Sequence, residues 1–372
     1  MSQLALRLQQ AIQQATHGLI ERDHLAELLV LAAVAQEHLL VIGTPGTGKS
    51  AVVRRVAQAL GGRYFEYLLG RFTEPSELFG PVNLNKLREG LVEVDTAGML
   101  PEADIVFLDE VFLGSTAILN TLLGILNERK FRRGHTQLDC PLRLCVGAAN
   151  ALPEDEGLAA FADRFLLHTF VEPVPDAKLE DLLAGGWQVA QQPLSACAEL
   201  SSLDTLQRAV PQVNMDVLRP DLAQAVRLLR QANIRLSDRR IVKAQRLIAA
   251  ASVLAGRMTA QRSDLWPLLY AIPTAQGQQT AREVLQSLLA EARHPLLRAV
   301  VEESSQQPAA RITRLQQQAQ ALLSAGAQAD GAAGFAQQVQ TLLREIDANF
   351  SSQAMPPELA ELRSRLVSAL GA

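Results

Sequence analysis

The sequence predicts an α/β fold, a parallel sheet flanked by helices, followed by all-helical regions. Three observations carry that expectation. A glycine-rich stretch, Gly43-Thr44-Pro45-Gly46-Thr47-Gly48-Lys49-Ser50, stands between an apolar run, His38 to Ile42, and a helical pattern, Ala51 to Leu60. Short apolar runs alternate with helical spacing as far as Val171, the arrangement of a parallel sheet with crossover helices. Beyond Pro173 and Pro175 the strand signal stops and helical spacing remains.

At 372 residues the chain has room for two or three domains, expected at 1–175 (α/β core), 176–275 (helical) and 276–372 (helical). An apolar content of 48% with 4% aromatics implies a core of Leu, Ala and Val. The net charge of −4 gives no overall basic field of the kind that announces nucleic acid. Cys140, Cys145 and Cys197 have neither metal-site spacing nor an even count, which fits a reduced, intracellular protein. Met1 to Thr16 is Gln-rich without a cationic start, and no run reaches the ~20 apolar residues of a membrane span. A cytoplasmic location is the expectation.

In chain order, residues 1–37 carry stripes at helical spacing, Leu4, Leu8, Ile12 and then Leu25, Leu28, Leu29, separated at Gly18. A strand at 38–42 leads into the glycine-rich turn and the helix 49–60. Gly61-Gly62 breaks that helix, and Tyr64 to Leu68 reads as a second strand. Residues 80–98, punctuated by Pro81, Asn83, Gly90 and Gly98, read as a hairpin-like excursion. Ala103 to Glu110 is an apolar run ending in two carboxylates, the pattern of a buried strand opening onto a site. A helix from Ser115 to Glu128 follows, then a hairpin at Phe131 to Leu138 around Gly134. Leu142 to Asn150 is a further buried strand, and Leu166 to Val171 the last. The later spacing Ile312, Leu315, Ala319, Leu322 and Leu359, Leu362, Leu366, Leu370 approaches a heptad and suggests a small helical hairpin or bundle.

The glycine-rich stretch fits the pattern G-x-x-x-x-G-K-[ST] in its required strand–turn–helix setting. Glycines let successive N–H groups point into one concavity, and the following helix adds its free N–H groups and dipole. Gly43, Thr44, Pro45, Gly46, Thr47, Gly48 and Ala51 would form the phosphate cradle. Lys49 would reach the β- and γ-phosphates of ATP, and Ser50 would hold Mg²⁺. Asp109 is positioned to bind Mg²⁺, and Glu110 to orient and deprotonate the attacking water. Asn150 ends the next strand and could hydrogen-bond the γ-phosphate or the water. Each also has a plainer reading: an acidic pair can cap a helix, and an Asn suits a tight turn.

The order of these pieces resembles the MoxR family of AAA+ ATPases, and more closely its RavA-type branch. The residues that carry the likeness are GTPGTGKS, ELFGP at 77–81, IVFLDE at 105–110, ILNTLLGILNERKF at 118–131, AAN at 148–150, ADRF at 162–165 and SDRR at 237–240. It covers roughly residues 15–270. The resemblance implies an AAA+ P-loop NTPase core with two hairpin insertions, at 82–97 and 132–139, followed by an all-α lid. It also implies a hexameric ring with ATP between subunits and a partner carrying a von Willebrand A domain. Arg164 matches the arginine finger that reaches a neighbour's γ-phosphate, and Arg239 the lid arginine that touches ATP in its own subunit; Arg240 stands beside it. The core family pattern leaves 276–372 unexplained.

Two function classes follow. The first is an ATP-driven chaperone or remodelling machine acting on a protein substrate. The second is a nucleic-acid motor, which Lys130, Arg132, Arg133 and His135 on the second hairpin would serve. The aromatic residues that base stacking needs are absent from that hairpin, which favours the first.

Overall fold

The computed structural model describes residues 2–191, 200–305 and 357–370, with scattered positions between 315 and 346. In order, the α/β part comprises α1 (Ser2–Thr16), α2 (Asp23–Ala35), β1 (Leu39–Gly43), α3 (Lys49–Leu60), β2 (Tyr64–Leu68), α4 (Pro75–Phe79), α5 (Leu84–Arg88), β3 (Ile105–Asp109), α6 (Thr116–Glu128), β4 (Lys130–Arg133), β5 (Thr136–Asp139), β6 (Leu144–Ala149), α7 (Glu156–Ala162) and β7 (Leu167–Val171). Helices α8 (Leu179–Gln191), α9 (Leu200–Ala209), α10 (Arg219–Gln231), α11 (Asp238–Leu254), α12 (Ala275–Val284), α13 (Gln286–Leu289), α14 (Arg298–Ser305) and α15 (Pro357–Leu370) follow.

The main sheet has five strands in the order β2-β3-β6-β1-β7, all parallel. The inner strands β3, β6 and β1 read as near-continuous apolar runs because both faces are covered. Leu39 and Val41, Ile105 and Phe107, Leu144 and Val146 enter one core, while Leu40 and Ile42, Val106 and Leu108, and Cys145 enter the other. The two alternating sets are the period-2 geometry of a strand made visible. Cys140 and Cys145 are buried free thiols, their pKa values pushed up by burial to about 11 and about 12, so neither is reactive near neutral pH.

The excursion at 80–98 differs from the hairpin its sequence suggested. Asn83 caps a short helix, α5, its side-chain oxygen accepting from the backbone N–H of Asn85 and Lys86. Only one antiparallel bridge, Val82 to Val94, closes the excursion. The second insertion is a hairpin, β4 paired antiparallel with β5. The two are joined: His135 N–H donates to the Val92 carbonyl at 2.7 Å, Val92 N–H to His135 Nδ1 at 3.0 Å, and Val94 N–H to Thr136 Oγ1 at 2.8 Å.

The chain forms two compact units, residues 1–174 with 181–304, and residues 175–180 with 305–372. The first runs past residue 275 because one hydrophobic core extends from Leu8 on α1 to Val301 on α14. In the second, Leu315, Ala319, Leu359, Leu362 and Leu366 share a small core with Val339, Leu342 and Ile346. Ile312 and the expected interruption at 324–334 lie outside the described residues. No described helix is long and apolar enough to cross a membrane.

Candidate functional site

The C-terminal ends of β1, β6 and β3 lie side by side, because β6 pairs with both of the others. That topology sets Gly43, Asn150 and the Asp109–Glu110 pair along one edge of the sheet, the edge where open α/β folds bind ligands.

The turn after β1 needs its glycines. A Cβ on Gly43 would overlap the carbonyl of Val171 on β7. Gly46 and Gly48 have φ of 79° and 78°, the left-handed region, and a side chain there would project into open space. Thr44, Pro45 and Gly46 are exposed, whereas Thr47 is buried and its hydroxyl donates to the Thr44 carbonyl at 2.9 Å. Gly48 sits at the N-cap of α3 and offers no side-chain cap, so the first N–H groups of Lys49, Ser50 and Ala51 lack one. Free helix N–H groups above a glycine turn form an anion-binding concavity.

Lys49 Nζ lies across this loop, donating to the carbonyls of Gly43 at 2.7 Å and Thr44 at 3.0 Å. Its burial lowers the ammonium pKa; the charges of Asp109 and Glu110 act the other way, and Arg22 adds to the lowering. Asp109 ends β3, its Oδ1 accepting the Glu110 N–H at 3.0 Å. Glu110 takes φ 50°, ψ 46°, a left-handed conformation that is costly for a glutamate and aims its side chain across the strand ends. There Asn150 Nδ2 donates to Glu110 Oε1 at 2.6 Å. Lys49, Asp109, Glu110 and Asn150 therefore form one constellation. Among the described residues no group of three or more His, Cys, Asp or Glu could hold a metal unaided. A Mg²⁺ ion would need phosphate oxygens beside the Ser50 hydroxyl and Asp109, the ordinary arrangement for this hard, well-hydrated cation.

The two arginines proposed to touch ATP lie elsewhere. Arg164 follows α7 and precedes β7, at the opposite end of the sheet from the phosphate loop. No described residue forms a hydrogen bond or ion pair with its side chain, and its Nε is buried without a partner. The adjacent Asp163 is taken by Arg240, whose Nε donates to Asp163 Oδ1 at 2.5 Å. Arg239, expected to reach its own subunit's nucleotide, has its Nη2 donating to Asn127 Oδ1 at 2.7 Å, near the C-terminal end of α6. Helix α6 starts near Glu110 and runs back to the start of β1, where the Leu126 carbonyl meets His38 Nε2 at 3.0 Å. Arg239 is thus at the sheet's far edge from Lys49.

The model of the MoxR domain in the MoxR-vWA-beta-propeller ternary systems matches residues 6–208. The chain belongs to the MoxR family. A AAA lid domain model matches residues 215–284. The protein MJ0812 of Methanocaldococcus jannaschii is 34% identical over 251 residues, 66% of either chain. The Chaperone MoxR1 of Mycobacterium tuberculosis is 26% identical over 178 residues, 46% of either chain. The present chain thus spans about two thirds of the first relative and under half of the second. A solved structure from Cytophaga hutchinsonii, described as a candidate ATPase, superposes with a TM-score of 0.60 at 15% identity. It covers 79% of this chain and 97% of its own, and shares the fold.

Sequence reasoning missed two residues. Arg240 is buried, giving Nη1 to the carbonyls of Leu166 (2.9 Å) and Ala271 (2.8 Å) and Nη2 to that of Phe165 (2.9 Å). A signal existed: Arg240 falls on the stripe Ala244, Leu247, Ile248, Ala251 of the MoxR chain, whereas Arg239 does not. The other is Arg22, just before α2, whose Nε donates to the Thr47 carbonyl of the phosphate loop at 2.8 Å. No motif marks it.

Proposed function

We propose that this chain is a Mg²⁺-dependent ATPase that assembles as a hexameric ring, with Arg164 of one copy completing the phosphate site of the next. The observation that carries the reading is the convergence of Lys49, Asp109, Glu110 and Asn150 on one edge of the sheet, with Arg164 away from it and unpartnered among the described residues. When bound, Mg-ATP supplies the electrophilic γ-phosphorus and the charge the ion shares. The loop N–H groups and Lys49 hold the phosphate oxygens, and Ser50 and Asp109 hold the ion. Glu110, steadied by Asn150, accepts a proton from the attacking water. A guanidinium brought by a neighbour binds two oxygens at once and stays charged.

The wider role follows from family membership. The family model describes MoxR domains that work in ternary systems with a von Willebrand A-domain protein and a β-propeller. We assign this chain such a partner, a protein substrate to remodel, and a cytoplasmic location, on a branch near the RavA type. Two cations of the second hairpin have partners within the chain, Arg132 with Glu128 at 2.8 Å and Lys130 with Asp139 at 3.9 Å, whereas Arg133 Nη1 is buried without one among the described residues. The hairpin's lack of stacking aromatics favours this reading over a nucleic-acid motor.

The test is Glu110→Gln. ATP affinity should stay near wild type while turnover drops by a factor on the order of 10² or more, the loss expected for a positioned base. Parallel loss of affinity and turnover would make Glu110 a metal ligand or structural residue.

A further inference from the structure

Arg22 is 5% exposed, yet among the described residues it forms no ion pair. Its donors go to backbone carbonyls: Nε to Thr47 at 2.8 Å, Nη2 to Glu172 at 2.9 Å and Nη1 to Glu21 at 2.7 Å. Those carbonyls satisfy the N–H groups but leave a positive charge withdrawn from water, which is costly without a counter-ion. The charge of the adjacent Glu21 offsets it in part. Lys49, also buried, feels the Arg22 charge across the loop. Two buried cations therefore flank one turn, and the carboxylates acting on Lys49 stand at the strand ends.

The bond to Thr47 has a geometric consequence. Thr47 lies between Gly46 and Gly48, both in the left-handed region, where the backbone has little side-chain restraint. A peptide unit is planar and trans, so the Thr47 carbonyl and the Gly48 N–H point in opposite directions. Gripping the carbonyl fixes where that N–H points. The second bond, to Glu172 just beyond β7, ties the back of the loop to the strand that packs against Gly43 at its front.

We propose that Arg22 is a positioning residue of the nucleotide site, fixing the Thr47–Gly48 peptide and holding a buried charge that the polyphosphate of a nucleoside di- or triphosphate balances. This rests on the functional reading above. It predicts that Arg22 acts through phosphates, not through the base or the sugar.

The experiment is calorimetric titration of the full chain with AMP, ADP and a non-hydrolysable ATP analogue, in wild type, Arg22→Gln and Arg22→Lys, with unfolding curves on each. In wild type affinity should climb from AMP to ADP to the triphosphate. In Arg22→Gln the di- and triphosphate should lose about 10- to 100-fold, the range for outer-shell partners of a bound ion, and AMP much less. Arg22→Lys keeps the charge without the fork and should recover part of the loss. Wild-type affinities in both variants, or an equal loss for all three nucleotides, would overturn the proposal. If Arg22→Gln does not fold, the triphosphate-to-AMP ratio of Arg22→Lys decides alone, and a wild-type ratio overturns it. Should wild type itself bind none of the three, the functional reading fails and this inference with it.

Discussion

Glu27, on the second turn of α2, is 6% exposed, and its Oε2 accepts the Val300 N–H at 2.9 Å. The Val300 carbonyl in turn accepts the Tyr270 hydroxyl at 3.1 Å. Burial pushes the Glu27 carboxyl from 4.5 up to about 8, against the backbone donors at the start of α14 and helped by the charge of Asp23. Arg282, Glu303 and the titratable His24 are the other groups around this junction. The folded state thus holds the proton more tightly than the unfolded one, and stability declines as pH rises from 4.5 to about 8, then levels. Buried His38, His168 and His294 have lowered pKa values and oppose this slope only below their ordinary 6.5. Between pH 6.5 and 8 the Glu27 term should therefore cost wild type roughly 1.5 kcal/mol. Glu27→Gln keeps an acceptor for Val300 without the titration. Urea unfolding at both pH values should give a wild-type free energy that falls and a Glu27→Gln value that stays level. Parallel pH dependence in the two proteins would refute the argument that this carboxyl is protonated in the folded chain.

Arg240 and Arg239 should separate structure from exposure. Arg240→Met leaves the carbonyls of Phe165, Leu166 and Ala271 without their buried donors, and should destabilise by about 3 kcal/mol or more, whereas Arg239→Ala should shift unfolding within about 0.5 kcal/mol. Lys49→Ala should abolish nucleotide binding in calorimetry, because the ammonium is the main side-chain charge offered to the β- and γ-phosphates.

The α/β half was legible because its signals are local and periodic. The helix at 49–60 and the strand at 64–68 fall where their spacing put them, bounded by Gly48 and Gly61, both left-handed. Helix α5 was not legible. Leu84 and Leu87 are exposed, so no buried stripe announces a helix, and Asn83 reads as a turn residue as readily as a cap. The strand-end placement of Asp109, Glu110 and Asn150 was inferable, since each ends an apolar run, whereas the hydrogen bond from Asn150 to Glu110 was not. Arg22 and Arg239 were not, because their positions depend on which elements pack together, and sequence spacing carries no record of that. Arg239 sits by Asn127 because α11 lies against the turn before β1, where Lys243 Nζ also meets Glu37 Oε2 at 2.5 Å.

The central claim, that catalysis is completed between copies, is tested most directly by mixing two inactive proteins. Arg164→Ala keeps an intact phosphate loop, and Lys49→Ala keeps an intact Arg164. Alone, Arg164→Ala should bind ATP with turnover reduced by roughly 10³, the lower end for an arginine supplied across an interface. Subunit exchange then creates interfaces that pair a good loop with a good arginine, and phosphate release should reappear from the mixture. If two affinity tags co-purify, showing that mixed assemblies form, and the mixture still releases no phosphate, Arg164 does not act on a neighbour's nucleotide.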